Sequence, residues 1–166
     1  MTVIAEFLDL RNEVLEASKG QDGFIDEQGV LGETLPLMLD AKLVDSEDFN
    51  EAYIILEEDQ DLKLNGYAVN ETGERLQLFA VDEAFVNEGL ESDELLISER
   101  TQYERQFRRV TRFIRSAIDG SILAKLQDAD PLKALAVQLA SPQGIEQFDV
   151  IEVFLVTLTG TVSRKG

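Results

Sequence analysis

The chain has 166 residues, 44% hydrophobic and 29% charged, which is enough for one folded domain over residues 1–166 and too little for two ordinary ones. It has no cysteine and no histidine, which excludes disulfide bonds, thiolate nucleophiles, Cys/His zinc sites and imidazole general bases. Its formal charge of −18 indicates an acidic surface that repels nucleic acid phosphates and favours a basic protein partner.

The first half of the chain predicts two helices followed by three strands. Apolar residues recur at helical spacing over residues 3–17 and over residues 26–41, where Pro36 is an interior irregularity. Residues 52–56 form a β-prone apolar run, and residues 63–69 and 75–81 alternate in polarity. The link 70–74 contains Gly73 and predicts a hairpin loop, so the three strands should form a meander.

The second half predicts a long helix, a short helix and a last strand. Residues 83–98 are acidic and carry no pattern that assigns them. One apolar face predicts a helix over residues 101–126 and comprises Phe107, Val110, Phe113, Ile114, Ala117, Ile118 and Ile122. Residues 128–131 then cap a helix over 132–140, which Ser141-Pro142 should stop. Residues 150–158 are apolar on nearly both faces, which predicts a strand at the centre of the sheet.

The predicted fold class is α/β of the α+β type, with a mixed four-stranded sheet flanked by helices. The order of elements is αα-βββ-αα-β, which is the order of a restriction-endonuclease-like core. In that core three strands are followed by a crossover helix and a fourth strand. Because the last strand returns to the sheet after the helices, the connection should be right-handed.

Three segments resemble the N-terminal part of abortive-infection phage-resistance (AIPR) proteins. In residues 61–81, a strand with Gly66-Tyr67 leads through an acidic turn into a Leu76-Gln-Leu-Phe strand. The helix segment 105–115 and the strand segment 154–157 follow in similar order and spacing. The resemblance implies a role in bacterial defence against phage. Since AIPR proteins are much longer, it also implies that this chain is an N-terminal fragment of a longer protein.

The sheet carries the positions of a nuclease site without its chemistry. Nucleases of this fold hold magnesium with an Asp on one strand and a Glu- or Gln-x-Lys on the next. The matching residues are Asn65, Gln77 and Phe79, and a hairpin centred near Glu71 would place Asn65 and Gln77 opposite each other on one face. Neutral side chains and the missing lysine favour a degenerate site, to which Glu33 adds one carboxylate, so we predict no metal site. Asn65 and Gln77 also suit ordinary polar positions of a partly exposed sheet face.

Five arginines lie within eleven residues of the long predicted helix: Arg105, Arg108, Arg109, Arg112 and Arg115. At about 100° per residue they occupy one sector, roughly opposite the apolar face. The stripe predicts contact with a downstream domain, a protein partner or a nucleic acid backbone, since arginine forks suit acidic groups and phosphates. Alternatively it neutralises its own chain, because residues 1–98 hold 25 acidic and 5 basic residues and residues 99–166 hold 8 and 10. With no aromatic side chain on the stripe, base stacking is disfavoured.

These patterns favour a non-catalytic, cofactor-free module of a phage-defence protein that docks through the arginine stripe. One alternative is a magnesium-dependent nuclease with a relocated site that uses Glu33, Glu74 and Asp82. Another is an acidic DNA mimic or inhibitor, which rests on the charge alone. No apolar run is long enough to cross a bilayer and residues 1–11 show no signal-peptide pattern, so we expect a cytoplasmic protein without membrane contact.

Overall fold

The computed structural model describes residues 3–57, 60–83, 97–158 and 161–162. The predicted fold class is confirmed, because a mixed four-stranded sheet is flanked by helices. By its contacts the chain divides into two compact units. The first comprises Met1–Glu47, Val81–Arg105 and Leu155–Gly166, and the second comprises Asp48–Ala80 and Gln106–Phe154. Within the described ranges, no helix has the length and apolar character needed to cross a membrane.

Two N-terminal helices form where the apolar spacing predicts them. Helix α1 spans Val3–Ala17, and helix α2 spans Glu27–Asp40. The Asp26 carboxylate caps α2 by accepting a hydrogen bond from the Gln28 amide at 3.2 Å. Both helices belong to the first unit and bury an apolar side there, which comprises Val14, Leu15, Val30, Leu31, Leu35 and Met38.

The predicted meander is confirmed in the second unit. Its antiparallel strands are β1 (Asn50–Leu56), β2 (Leu62–Val69) and β3 (Arg75–Val81), of which only Val81 belongs to the first unit. Gly73 takes a φ of 77° in the loop, a conformation that costs glycine little. The Asn70 side chain closes the loop, since its Oδ1 accepts from the Arg75 amide at 2.9 Å. The backbone angle of Gly73 and the hydrogen bond of Asn70 therefore stabilise the turn between β2 and β3.

The remaining strands are β4 (Ile97–Ser98), β5 (Val150–Val156) and β6 (Thr161–Val162). In the main sheet the order is β1-β2-β3-β5, so the prediction that the last strand is central is wrong and β5 lies at its edge. An apolar sequence indicates that both faces of a strand are buried, but it does not indicate whether a neighbouring strand lies on one side of that strand or on both. Strands β4 and β6 form a separate parallel pair that the sequence did not predict. Most of the unassigned segment 83–98 lies outside the described residues.

The parallel direction of β5 relative to β3 makes the sheet mixed. At one end the Asp149 amide donates to the Glu74 carbonyl at 2.7 Å, and at the other the Asp82 amide donates to the Val156 carbonyl at 2.8 Å. Since residue numbers increase in the same direction along both strands, the two strands run parallel. The chain between them contains the helices, as a crossover connection requires.

The long predicted helix is shorter than expected and is followed by three short helices. Helix α3 spans Arg100–Ile118, and a 3-10 helix covers Ser121–Lys125 after Gly120, which takes a φ of 82°. Helix α4 spans Lys133–Ala140. The prediction that Ser141-Pro142 stops this helix is confirmed, and a further short helix, α5 (Pro142–Ile145), begins at the proline. Proline suits a first helical position, and the Ser141 hydroxyl caps it by accepting from the Gly144 amide.

Candidate functional site

The nuclease-like positions on β2 and β3 point to opposite faces of the sheet. Gly66 lies opposite Phe79 and Ala68 lies opposite Gln77, so these four residues share one face. Side chains alternate along a strand, which places Asn65 on the other face. The predicted opposition of Asn65 and Gln77 is therefore wrong. The reason is the hairpin register, which centres the loop between residues 72 and 73 instead of at residue 71.

Phe79, which stands where a nuclease lysine is expected, is part of an aromatic cluster. It is fully buried, with its ring stacked on Phe154 at a centroid distance of 5.7 Å and edge-on to Phe49 at 6.5 Å. Gly66 makes room for this cluster, because a Cβ there would lie 2.8 Å from the Phe49 ring and 2.9 Å from the Asn50 carbonyl oxygen. Position 79 is therefore part of the hydrophobic core in this protein.

Gln77 shares the same face with an acidic residue that the sequence did not single out. Its Nε2 lies 3.5 Å from Oε1 of Glu152 on β5. The same carboxylate oxygen lies 3.2 Å from Nε of Arg75, with which it forms a half-exposed ion pair. Glu152 was missed because sequence spacing cannot show which strand lies beside β3. The negative charge of Glu152 is balanced by Arg75 on the neighbouring strand β3.

The carboxylates of the relocated nuclease alternative belong to two different units. Glu33 is exposed on α2 in the first unit, and Glu74 is exposed in the hairpin of the second. Asp82 is buried, and its carboxylate accepts weak hydrogen bonds from Gln102 at 3.4 Å and Thr157 at 3.5 Å. Over the described ranges, no group of three or more acidic side chains is placed to hold a metal ion.

Helix α3 turns one arginine of the predicted stripe into the protein. Arg109 is 0% exposed, and its guanidinium lies 3.4 Å from Oδ1 of Asp61 and donates to Gln106 at 3.1 Å. Asp61 precedes β2 with a left-handed φ of 45°, which an aspartate tolerates better than most residues. Arg109 is therefore part of the interior, where it neutralises an acidic residue of the same chain as one of the sequence alternatives predicted.

The other arginines of α3 stay at the surface. Arg108 and Arg115 are exposed, and Arg112 is half-exposed, with its Nη1 3.2 Å from Oδ2 of the same Asp61. Arg105 is exposed in the part of the helix that belongs to the first unit. The stripe thus divides into one buried anchor and a row of solvent-facing cations.

The buried side of α3 shares Val110, Phe113 and Ala117 with the predicted face but is rotated from it. It comprises Gln106, Arg109, Val110, Phe113, Ser116 and Ala117. Phe107 and Ile118, which were predicted to be buried, are 39% and 45% exposed, respectively. The buried side is rotated from the predicted one by about a quarter of a turn. Consequently Phe107 is an aromatic side chain at the surface beside Arg108, which the sequence interpretation did not foresee.

A model of a protein family, described as the abortive infection phage resistance protein N-terminal domain, matches residues 38–164. The chain belongs to this family. The match includes all of β1, β2, β3, α3 and β5, so the AIPR resemblance is confirmed over the sheet and the arginine-rich helix. It connects this AIPR N-terminal domain with phage defence by abortive infection. No curated protein and no solved structure matches the chain.

Within this AIPR N-terminal domain, the sequence located the arginine-rich helix correctly, but it did not predict that Arg109 is buried and that Phe107 and Ile118 are exposed. Asp61 was visible only as the first residue of the family-like segment. Its left-handed backbone and its contacts with two arginines 48 and 51 positions later depend on tertiary packing. The hydrophobic pattern itself pointed away from a buried arginine, since charged residues are rarely interior unless paired.

Proposed function

We propose that this AIPR N-terminal domain is a non-catalytic module that docks an acidic partner through the exposed side of α3. The observation that carries the proposal is the row formed by Arg108, Arg112 and Arg115, which face solvent in a chain of formal charge −18. A row of guanidinium groups is suited to carboxylates, with which arginine forms forked hydrogen bonds. The grouping of positive charge on one side of α3 gives the domain a defined place of attachment.

The arrangement of the nuclease-like positions supports a role without catalysis. Two carboxylate-type ligands must share one side of a sheet to bind the same magnesium ion. Here Asn65 and Gln77 lie on different faces, and Phe79 is held between two aromatic rings. The restriction-endonuclease likeness remains part of the proposal, resting on the element order and on the parallel β3 and β5. Because an injected phage genome is met inside the cell, we place the module in the cytoplasm.

A protein partner fits better than nucleic acid. The net charge of the chain opposes any polyanion, and nucleic acid more strongly because it carries a charge at every phosphate, whereas a protein surface can combine a few acidic groups with neutral ones. At physiological ionic strength charges interact over only about 8 Å, so the local row of arginines decides what binds beside it. The partner is therefore expected to carry a compact acidic patch.

The absence of catalysis is tested by incubating the purified chain with plasmid and single-stranded DNA in the presence of Mg²⁺ or Mn²⁺, with metal binding followed by calorimetry. We expect intact DNA with either metal. Cleavage that the Glu33→Ala, Glu74→Ala or Asp82→Ala variant abolishes would contradict a non-catalytic role and establish a nuclease.

Docking is tested with two polyanions, poly-L-glutamate and a single-stranded oligonucleotide of about 20 nucleotides, at physiological salt. We expect poly-L-glutamate to bind, and the double variant Arg108→Glu, Arg115→Glu to weaken that binding by roughly tenfold or more. The control variant Lys42→Glu, Lys125→Glu changes the net charge equally at other exposed sites. Equal affinities of both double variants would remove the arginine row from the docking role.

A further inference from the structure

The exposed side of α3 carries an apolar row as well as a cationic one. Phe107 and Ile118 are among the exposed large apolar side chains, and the exposed Thr111 lies between them. At about 100° per residue, Phe107 and Ile118 differ by only about 20° around the helix axis, and they are separated by about 16 Å along it. They form one ridge parallel to the helix, three turns long.

The cationic row runs beside that ridge. Arg108 and Arg115 also differ by about 20° around the axis, and their sector adjoins the sector of Phe107 and Ile118. Neither Arg108 nor Arg115 forms an ion pair with another residue of the described ranges. We call Phe107, Arg108, Thr111, Arg112, Arg115 and Ile118 together the α3 surface. It offers apolar contact area on one side and positive charge on the other.

The cationic row ends at a small cavity of about 250 Å³. Its lining includes the side chains of Arg112 and Arg115, together with Gln60, Ser116, Asp119 and Ser121. The Oε1 atom of Gln60 is buried and has no hydrogen-bond partner in the described part of the chain. The cavity is smaller than the about 300–1,000 Å³ of an ordinary small-molecule site. It is large enough for one acidic side chain, which would meet two guanidinium groups and two hydroxyl groups beside the carboxylate of Asp119.

From these observations we propose that the α3 surface binds an acidic amphipathic helix of a protein partner, about three turns long. Its apolar residues, spaced at i, i+4 and i+7 or i+8, cover Phe107 and Ile118, while Asp and Glu residues on its flank contact Arg108 and Arg115. One of these acidic side chains enters the cavity between Arg112 and Arg115. This inference rests on the proposed docking function and names the class of partner.

The apolar ridge favours a helix over nucleic acid. Single strands are bound by successive aromatic platforms on which bases stack. On the α3 surface Phe107 is the single aromatic residue, and Thr111 and Ile118 continue the ridge without a ring to stack on. Apolar side chains of a helix match such a ridge, and burying them supplies most of the binding free energy. The arginines then select acidic helices from other amphipathic ones.

The inference is tested by selecting binders to the intact chain from a displayed library of random peptides of about 16 residues. We expect enriched peptides to combine Leu, Ile or Phe at helical spacing with Asp or Glu on one flank. Binding of synthetic copies, measured by fluorescence anisotropy, should weaken roughly tenfold or more with Phe107→Ala and with Arg108→Glu, Arg115→Glu. The control Lys42→Glu, Lys125→Glu should leave the affinity within about twofold.

Three outcomes would overturn the inference. The first is that no peptide is enriched, and the second is that enriched peptides lack the acidic amphipathic pattern. The third is that their affinity is the same for the Phe107→Ala variant and the unaltered chain. If the binding of poly-L-glutamate still depends on Arg108 and Arg115 in any of these cases, docking of an acidic protein stands and only the helix partner falls. DNA cleavage, in contrast, would remove the proposed function itself.

Discussion

The buried side and the exposed side of α3 each carry an arginine and a phenylalanine. The inward side buries Arg109 and Phe113 completely, whereas the outward side exposes Arg108 and 39% of Phe107. One arginine and one phenylalanine thus serve the interior, and a second arginine and phenylalanine of the same helix face solvent. The difference shows that residue type alone does not decide which side of a helix is buried.

The position of Asp61 gives a physical reason for this division. A buried guanidinium is stable only when it is paired and hydrogen-bonded, and Asp61 and Gln106 supply both contacts to Arg109. Once Arg109 faces inward, helix geometry also carries Val110 and Phe113 inward and turns Phe107 outward. A single ion pair therefore accompanies the rotation that creates the α3 surface.

The largest expected effect separates the two phenylalanines. Phe113→Ala should lower the free energy of unfolding by about 3–5 kcal/mol, because it leaves a cavity at a fully buried position. Phe107→Ala should lower it by less than about 1 kcal/mol, since much of that ring is already in water. Urea denaturation of both variants measures the difference. Equal costs would show that the assignment of the two sides is incorrect.

The next effect separates the two arginines. Arg109→Ala should cost about 2 kcal/mol of unfolding free energy, since it removes the buried partner of Asp61, which is itself 27% exposed and keeps its contact with Arg112. The neighbouring Arg108→Ala should change that free energy by no more than about 0.5 kcal/mol and serves as the matched control. Chemical denaturation at one pH and salt concentration suffices. A neutral Arg109→Ala variant would mean that the Asp61 contact does not hold α3 in place.

The smallest effect concerns the end of the outward side. Hydrogen bonds from the Ser121 hydroxyl and backbone amide hold the pKa of Asp119 below its ordinary value. Because the folded-state pKa is lowered, any stability from this carboxylate is present above its ordinary pKa and is lost as the pH falls through the lowered one. Ser121→Ala should raise the pKa of Asp119 partway, as an NMR titration can show. Thr111→Ala, whose hydroxyl donates to the Phe107 carbonyl, should leave it unchanged.

Much of the fold could be predicted because local patterns control it. Helical spacing in residues 3–17 and alternation in residues 75–81 reproduce α1 and β3 at both ends. The hairpin was predicted from Gly73, yet its register was not. A shift of the loop centre by one to two residues moved Asn65 away from Gln77, since each single step in a strand reverses the face of a side chain.

The sequence by itself determined the order of the main helices and strands, the strong negative charge, the family resemblance and the presence of an arginine-rich helix. All of these depend on composition or on contacts close along the chain. Tertiary structure decided the edge position of β5, the aromatic cluster at Phe79 and the rotation of α3 about its axis. These features depend on residues far apart in sequence, such as Asp61 and Arg109. The periodicity of the sequence gives no information on the free energy of such a pair.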